Sequence, residues 1–428
     1  MDEIKQYSKD LLKFLNNAPT PFQSVELLEE VLVDAEAVKL DETKNWDLKK
    51  DTLYYFTKAD SQIAAFRISG DPIETGLRIG IAHHDSPGFR IKSVPSKIDL
   101  GYERLCLEGY GGMIVHTWLD RPLALAGRCY ICKDGKISAK NINIRKPLLI
   151  IPSAAIHVVR EVNDGAKFNI QTDMMPFFAQ NSSGEVRFTS YLAKQLKCKP
   201  EEIVSYELSP YEYSPGSFVG EDEEFISAPR LDDASLAYNL IRGLCDSKSG
   251  CDIACVFDHE EIGSNSDRGA KSNTLMMIID RICNSFGYNA DDKYRILAGS
   301  IAFSADMAHA THPSYAYRSD PNLIVKLNKG PVLKLAARQS YSTSSKGSAY
   351  FKMLCKTNNI PYQEFNNRSD AAGGGTIGPV VSSALGIVTV DIGNPQLSMH
   401  SIRELGGTND AYYMMKLLSA FFSEREGI

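Results

Sequence analysis

Apolar residues recur at helical spacing over Glu3–Leu15 and again over Gln23–Val33, with Pro19 and Pro21 between them, which predicts two helices at the start of the chain. Short alternating or apolar runs follow at Leu53–Thr57, Ile63–Arg67 and Arg78–Ala82 and predict strands. From Phe89 to about Phe225 the texture changes. Brief β-rich runs, such as Met113–Trp118, Ala126–Ile131 and Leu148–Ile151, are broken by Gly, Pro and Asn. After Ala228 the two periods alternate. Helices are predicted over Leu236–Cys245, Leu275–Phe286 and Asp410–Phe421, and strands over Ile253–Phe257, Gly299–Phe303 and Ile387–Val390. Strands alternating with helices imply a mainly parallel sheet with helices on both faces. A chain of 428 residues is long for one core. The expected architecture is a discontinuous α/β domain, residues 1–88 and 227–428, with a β-rich domain, residues 89–226, inserted in its middle.

Composition narrows the function classes. Charged residues make up 23% and the formal net charge is -6, without the basic face that nucleic acid requires. No run of about 18 apolar residues suggests a membrane span. The stretch Met1–Asn17 is charged and amphipathic and lacks the basic start and apolar core of a secretory signal, so the expected location is cytoplasmic. Nine scattered cysteines then read as free thiols. Cys129 and Cys132 form a CxxC without a second pair, and both read as small hydrophobes of a strand, as do Cys251 and Cys255.

Chemistry-bearing residues gather at the ends of the predicted strands, where open α/β sheets place their sites. Arg78–Ala82 runs into His83, His84 and Asp85. In extended chain, His83 and Asp85 point to one side, and a metal-bound imidazole commonly gives its other N–H to a carboxylate. Asp232 and Asp233 precede a helix, where either alone would read as a cap. Ile253–Phe257 ends in Asp258, His259, Glu260 and Glu261. Adjacent acids after a buried strand are costly unless a metal or hydrogen bonds hold them. Their side chains diverge, so one can bind metal while the other takes a proton from water. Gly299–Phe303 leads to Asp306, His309 and His312, with the two histidines spaced to share one side of a helical turn. Ile387–Val390 leads to His400, with Arg403 and Glu404 as candidate supports.

Each cluster alone has a plain reading as loop, cap or surface. Together, around one sheet, they describe a metal centre. Histidine mixed with carboxylates suits zinc better than magnesium or calcium. Three of the candidate carboxylates, Asp232, Glu261 and Asp306, leave one positive charge on a pair of zinc ions, which a hydroxide neutralises. Glu260 is then the general base, and afterwards the acid toward the leaving amine. One decoy competes. Gly373–Gly378 satisfies GxGxxG and can open a helix over Thr376–Leu385, with Asp391 about 20 positions on. The preceding Asn366–Ala372 is polar and does not read as the strand that this fingerprint requires, so a close backbone approach beside the site is expected instead.

At these residues the sequence resembles the aspartyl and vacuolar aminopeptidase family of co-catalytic dizinc metallopeptidases. The segments that carry the resemblance are AHHDSPGFRIK (82–92), APRLDDASLA (228–237), FDHEEIGS (257–264), SADMAHATHPSY (304–315), GGGTIGP (373–379) and PQLSMHSIRE (395–404), with APTPFQSV (18–25) and DRPLALAGR (120–128). The resemblance implies a metallopeptidase domain with an inserted dimerisation domain. It implies two zinc ions per subunit, with cobalt or manganese as alternatives, held by His83, Asp232, Glu261, Asp306 and His400, with Asp232 bridging. Glu260 and Asp85 are implied as the catalytic acids. The implied activity removes the N-terminal residue from peptide substrates, and the implied assembly is a homo-oligomer, a tetrahedral dodecamer. His157, in IPSAAIHVVRE (151–161), looks like the family histidine that reaches a neighbouring subunit's site.

Two departures matter. His84 stands where Thr is common and should point away from the metals. Arg338, in KLAARQSYS (334–342), stands where some aspartyl enzymes carry Lys. With Lys334 and His309 it is a candidate substrate-binding group, and a cation there favours N-terminal Asp or Glu. The alternatives are a preference for neutral residues, a dizinc carboxypeptidase or amide deacylase, a nucleotide-dependent oxidoreductase built on Gly373–Gly378, and a non-catalytic shell protein.

Overall fold

The computed structural model describes residues 2–165, 167–181, 184–371 and 373–423. The chain divides into two compact units. The larger comprises Met1–Asp85, Gly216–Met399 and Glu404–Ile428, and the smaller Ser86–Pro215 with His400–Arg403. The division after the β-rich stretch falls at 215/216 rather than 226/227, because Ser217–Val219 and Phe225–Ala228 pair into a sheet of the larger unit.

The larger unit is built on a nine-stranded sheet. Its strands in chain order are β1 (Val38–Lys39), β2 (Tyr54–Lys58), β3 (Gln62–Ile68), β4 (Arg78–His83), β5 (Cys251–Phe257), β6 (Ile301–Ala305), β7 (Val332–Leu335), β8 (Gln363–Asn366) and β9 (Val388–Gly393). Across the sheet the order is β1-β2-β3-β5-β4-β6-β9-β7-β8. The four central strands β5, β4, β6 and β9 are parallel, and β3 and β7 run antiparallel to them on either side. Parallel strands buried on both faces read as near-continuous apolar runs, and β5 does so apart from Asp252, with all seven of its residues buried.

Alternate side chains of each strand feed opposite cores. Ala254, Val256, Ile301 and Phe303 pack with helices Asp2–Asn17, Pro21–Asp34, Leu236–Asp246, Ser345–Thr357 and Thr408–Ser423. Ile253, Cys255, Phe257 and Ala302 face helices Thr274–Phe286, Ala290–Ala298 and Gly378–Leu385. A second sheet of this unit joins Ser217–Val219, Phe225–Ala228, Glu404–Gly407, Pro395–Leu397 and Ala308–His309.

In the smaller unit two antiparallel three-stranded sheets enclose a core around Phe89, Leu107, Trp118, Leu125 and Leu208, to which helix Phe188–Leu196 adds Phe188 and Leu192. Cys129 is buried in one of these strands, and all nine cysteines are free. No described helix is long and apolar enough to cross a membrane.

Three expectations are corrected locally. Met113–Trp118 is not a strand but ends in a 3-10 turn, Val115–Trp118, closed by the Thr117 hydroxyl donating to Ile114 O at 2.7 Å. The strand expected from Gly299 begins at Ile301, because Gly299 and Ser300 still donate backwards to the preceding helix. His309 and His312 share no helical turn. His309 lies in a two-residue strand, and His312 stays extended before Pro313 and caps the 3-10 segment that follows.

Candidate metal centre

Of the residues in the sequence clusters, His83, Asp232, Glu261 and Asp306 come together beside the carboxyl ends of β4, β5 and β6. His83 is the last residue of β4 and is 1% exposed. Its Nδ1 lies 3.1 Å from Asp85 O and 3.3 Å from Asp85 Oδ1, and its Nε2 lies 3.5 Å from Asp232 Oδ1. The ring is thus oriented by Asp85 on one nitrogen and offers the other to the acids, the arrangement that a ligating imidazole needs. His84 turns away, with Nδ1 2.9 Å from Ser24 Oγ and Nε2 2.7 Å from Ser61 O.

Asp85 has a second role that spacing did not reveal. Its two carboxylate oxygens accept the N–H groups of Glu260 and Glu261, each at 3.1 Å. One acid therefore fixes the ring of His83 and the backbone of the turn after β5. Left-handed His259 and Gly263 bracket that turn.

Asp232 and Asp233 do not cap the helix that follows. They lie in an irregular turn before Ser235, and both are buried. Asp232 N–H donates to Glu404 Oε2 at 3.0 Å, and His83 N–H donates to Asp233 Oδ2 at 3.3 Å. Glu404, a candidate support for His400, holds the backbone of Asp232. Arg403 pairs with Glu212 within the smaller unit at 2.9 Å. Asp306 follows β6, with its N–H on Ile392 O at 3.0 Å.

Among the described residues there are two sets whose ligand atoms lie within 4.8 Å of one another: His83, Asp232 and Glu261, and Asp232, Asp233 and Asp306. Asp232 belongs to both, and Asp233 joins a site for which the sequence singled out its neighbour. His400 is grouped with the smaller unit, where its Nδ1 lies 2.9 Å from Gly112 O.

The electrostatics call for cations. Burial raises the Asp233 carboxyl well above its ordinary range, with His83 opposing and Asp306 and Asp232 adding to the rise. Asp306 is raised by burial, with Lys334 opposing and Asp232 adding. Burial pushes Glu260 up to about 8, with His83 opposing and Asp306, Glu261 and Asp85 adding. Burial alone would lower His83, but its bonds to Asp232 and Asp85 hold it well above the usual imidazole value. Among the described residues Asp233 Oδ1 is buried without a hydrogen-bond partner. A nearly dry cluster of carboxylates with one imidazole is costly without a counter-charge, and this donor set fits zinc.

The substrate candidates are dispersed. Lys334, in β7, is 3% exposed, with its ammonium 3.6 Å from Asp306 Oδ1 and 5.5 Å from the Tyr341 ring centre. Its charge thus faces Asp306, at the metal-ligand end of the site. Arg338 is exposed on the following turn and makes no ion pair among the described residues. His309 is exposed, with its ring 6.4 Å from that of Phe365. His157 is exposed on a turn of the smaller unit. Gly373–Gly375 is an exposed loop. It follows β8 at a distance, and Gly378 abuts the Asp391 carboxylate, a poor neighbour for a pyrophosphate.

An α/β sheet with buried acids and a histidine at the carboxyl ends of its central strands defines a metal-dependent hydrolase. Residues 14–422 match the family described as aminopeptidase I zinc metalloprotease (M18). The chain belongs to that family and is a zinc-dependent aminopeptidase. A probable M18 family aminopeptidase 2 of Clostridium novyi (strain NT) is 42% identical over 427 residues, 98% of this chain and 99% of the relative. A chain of the Ape4–Nbr1 complex superposes with a TM-score of 0.95 at 34% identity, covering 98% of this chain and 86% of that one. The S. cerevisiae mApe1 dodecamer gives 0.86 at 25% identity, over 98% and 97% of the two chains.

Proposed function

We propose that the chain works as a two-metal aminopeptidase, with His83, Asp232, Glu261, Asp306 and His400 as ligands and Asp232 shared between the ions. The observation that carries this reading is the pair of ligand sets that meet at Asp232. His400 rests on its motif and on the bond of its Nδ1 to Gly112 O, the support that a ligating imidazole commonly has. Asp233 is an added donor to the second set.

The chemistry that zinc supplies when bound is activation of water near neutral pH and polarisation of the scissile carbonyl. Glu260 supplies the proton traffic. Its carboxylate takes a proton from the attacking water and returns it to the departing amine nitrogen. Glu260 has to be ionised when the water attacks, and dications held beside it would lower its pKa toward that state. Asp85 keeps His83 and the Glu260–Glu261 backbone in register while this happens.

The substrate reading favours N-terminal Asp or Glu, with Arg338 as the recognising cation, since a bidentate guanidinium suits a carboxylate. Lys334, which faces Asp306, is the second candidate cation. The inserted segment is proposed to build subunit contacts, to bring His157 to a neighbouring chain, and to support a dodecamer like that of the yeast enzyme.

Rates on Asp-, Glu- and Leu-peptides with free and blocked amines test the reading. Free-amine peptides should be cleaved and blocked ones spared, with kcat/KM higher for Asp and Glu than for Leu. Arg338→Ala should lower the acidic rates selectively. Faster Leu cleavage by wild type would overturn the acidic preference, and cleavage of blocked peptides would overturn the exopeptidase reading.

A further inference from the structure

Asp391 lies near the carboxyl end of β9 and is 0% exposed, yet it is not among the grouped ligand atoms. Among the described residues, each hydrogen bond of its side chain leads to a loop. Oδ2 accepts the N–H and the hydroxyl of Ser342, each at 2.6 Å. Oδ1 accepts the hydroxyl of Thr376 at 2.5 Å. The Asp391 N–H donates to Thr343 Oγ1 at 2.9 Å. One carboxylate thus ties together two segments far apart in sequence: the turn after β7 that carries Arg338 and Tyr341, and the glycine-rich run Gly373–Gly378.

The packing is built around that carboxylate. A side chain at Gly378 would collide with both of its oxygens, so the glycine that opens helix Gly378–Leu385 makes room for Asp391. Gly373, Gly374 and Gly375 are exposed, and glycine runs have the most backbone freedom to lose. A bond from Thr376, directly after them, is where such a run is most cheaply held. On the other segment, Tyr341 precedes Ser342 and lies beneath the Lys334 ammonium, which faces Asp306. Contacts therefore run from a proposed metal ligand, through Lys334 and Tyr341, to the anchored loop pair.

We propose that Asp391 is a positioning residue for the peptidase reaction, fixing both loops as one rigid wall on the substrate side of the Asp306 end of the site. This rests on the aminopeptidase reading and deepens it, because it names what holds the substrate wall still. The wall costs nothing to order at binding if it is ordered beforehand, so its loss appears in KM.

Thr376→Val removes one hydroxyl and keeps the side-chain shape, and Thr376→Ser restores the bond. For both, with wild type and Asp391→Asn, KM and kcat are measured separately on an Asp-peptide and a Leu-peptide, with metal content and melting temperature. The expected result is a KM about tenfold higher for Thr376→Val on both peptides, the size of one hydrogen bond to a charged group lost. Metal content should stay at the wild-type level and kcat within about threefold, and Thr376→Ser should return KM to wild type. Asp391→Asn should raise KM at least as much. An unchanged KM in Thr376→Val, or a lower melting temperature with unchanged KM, would overturn the proposal. If wild type cleaved neither peptide, the aminopeptidase reading itself would fall, a separate outcome.

Discussion

Glu260 and Glu261 are neighbours with different tasks, and the separation comes from Asp85 holding both of their N–H groups. With the backbone fixed, Glu261 turns toward His83 and Asp232, while Glu260 keeps a carboxyl that burial pushes up to about 8. Glu260→Gln should therefore retain metal and fold but lose about 10²–10⁴-fold in kcat. Near wild-type turnover with metal bound would remove Glu260 from the mechanism. The same electrostatics set a pH dependence for the metal-free protein. Unfolded Asp and Glu ionise near pH 4, whereas Glu260, Asp233 and Asp306 hold their protons to higher pH when folded. Between those pH values the unfolded chain has released protons that the folded chain keeps, so stability falls as pH rises. His83, raised when folded, acts in the same direction: its contribution is complete below about pH 6.5 and fades as pH climbs through the folded value. Melting of metal-stripped protein should fall from pH 5 to pH 8, and added zinc should restore more at pH 8 than at pH 5. A flat profile for the stripped protein would contradict the assigned shifts.

At the scale of elements, the strands that place the site were legible because their apolar runs are long. β5 is buried throughout, and the acids directly after it stand out against it. β7 and β8 were not legible: one is four residues with a lysine inside, the other is the polar Gln363–Asn366 at the edge of the sheet. Helices Ala290–Ala298 and Ser345–Thr357 were missed as well, since charged and small residues dilute their apolar stripe. Of the ligand-type residues, His83, Glu261 and Asp306 were singled out from their positions at strand ends and Asp232 from its place before a helix. Asp233, the double role of Asp85, and the bond donated by the Asp232 N–H to Glu404 were not, because each depends on a contact between distant segments. The clearest energetic test of the layered core is Phe303 of β6. It is fully buried and stacks on Phe421 of the last helix at 4.1 Å between ring centres. Phe303→Ala should lower unfolding free energy by about 3–5 kcal/mol in denaturant titrations. A loss below about 1 kcal/mol would mean that the sheet–helix interface is looser than these contacts imply.

At the scale of the whole molecule, the proposed assembly gives an account of apolar residues left in water. Ile156, Val158 and Val159 are exposed around His157 in the smaller unit. Clustered exposed apolar residues commonly mark a contact surface. Light scattering at assay concentration should give a multimer, about twelve chains by analogy with the yeast dodecamer. His157→Ala should reduce activity while the multimer persists. A fully active monomer would contradict the proposed part of the inserted segment. The central proposal is that the buried acid cluster holds two metal ions for aminopeptidase chemistry. Its most direct test is metal analysis of zinc-refilled protein alongside hydrolysis of a free-amine peptide, for wild type and His83→Ala. Close to two ions per wild-type chain are expected, with metal and activity lost together in the variant. Full activity in wild-type protein that binds no metal would contradict it.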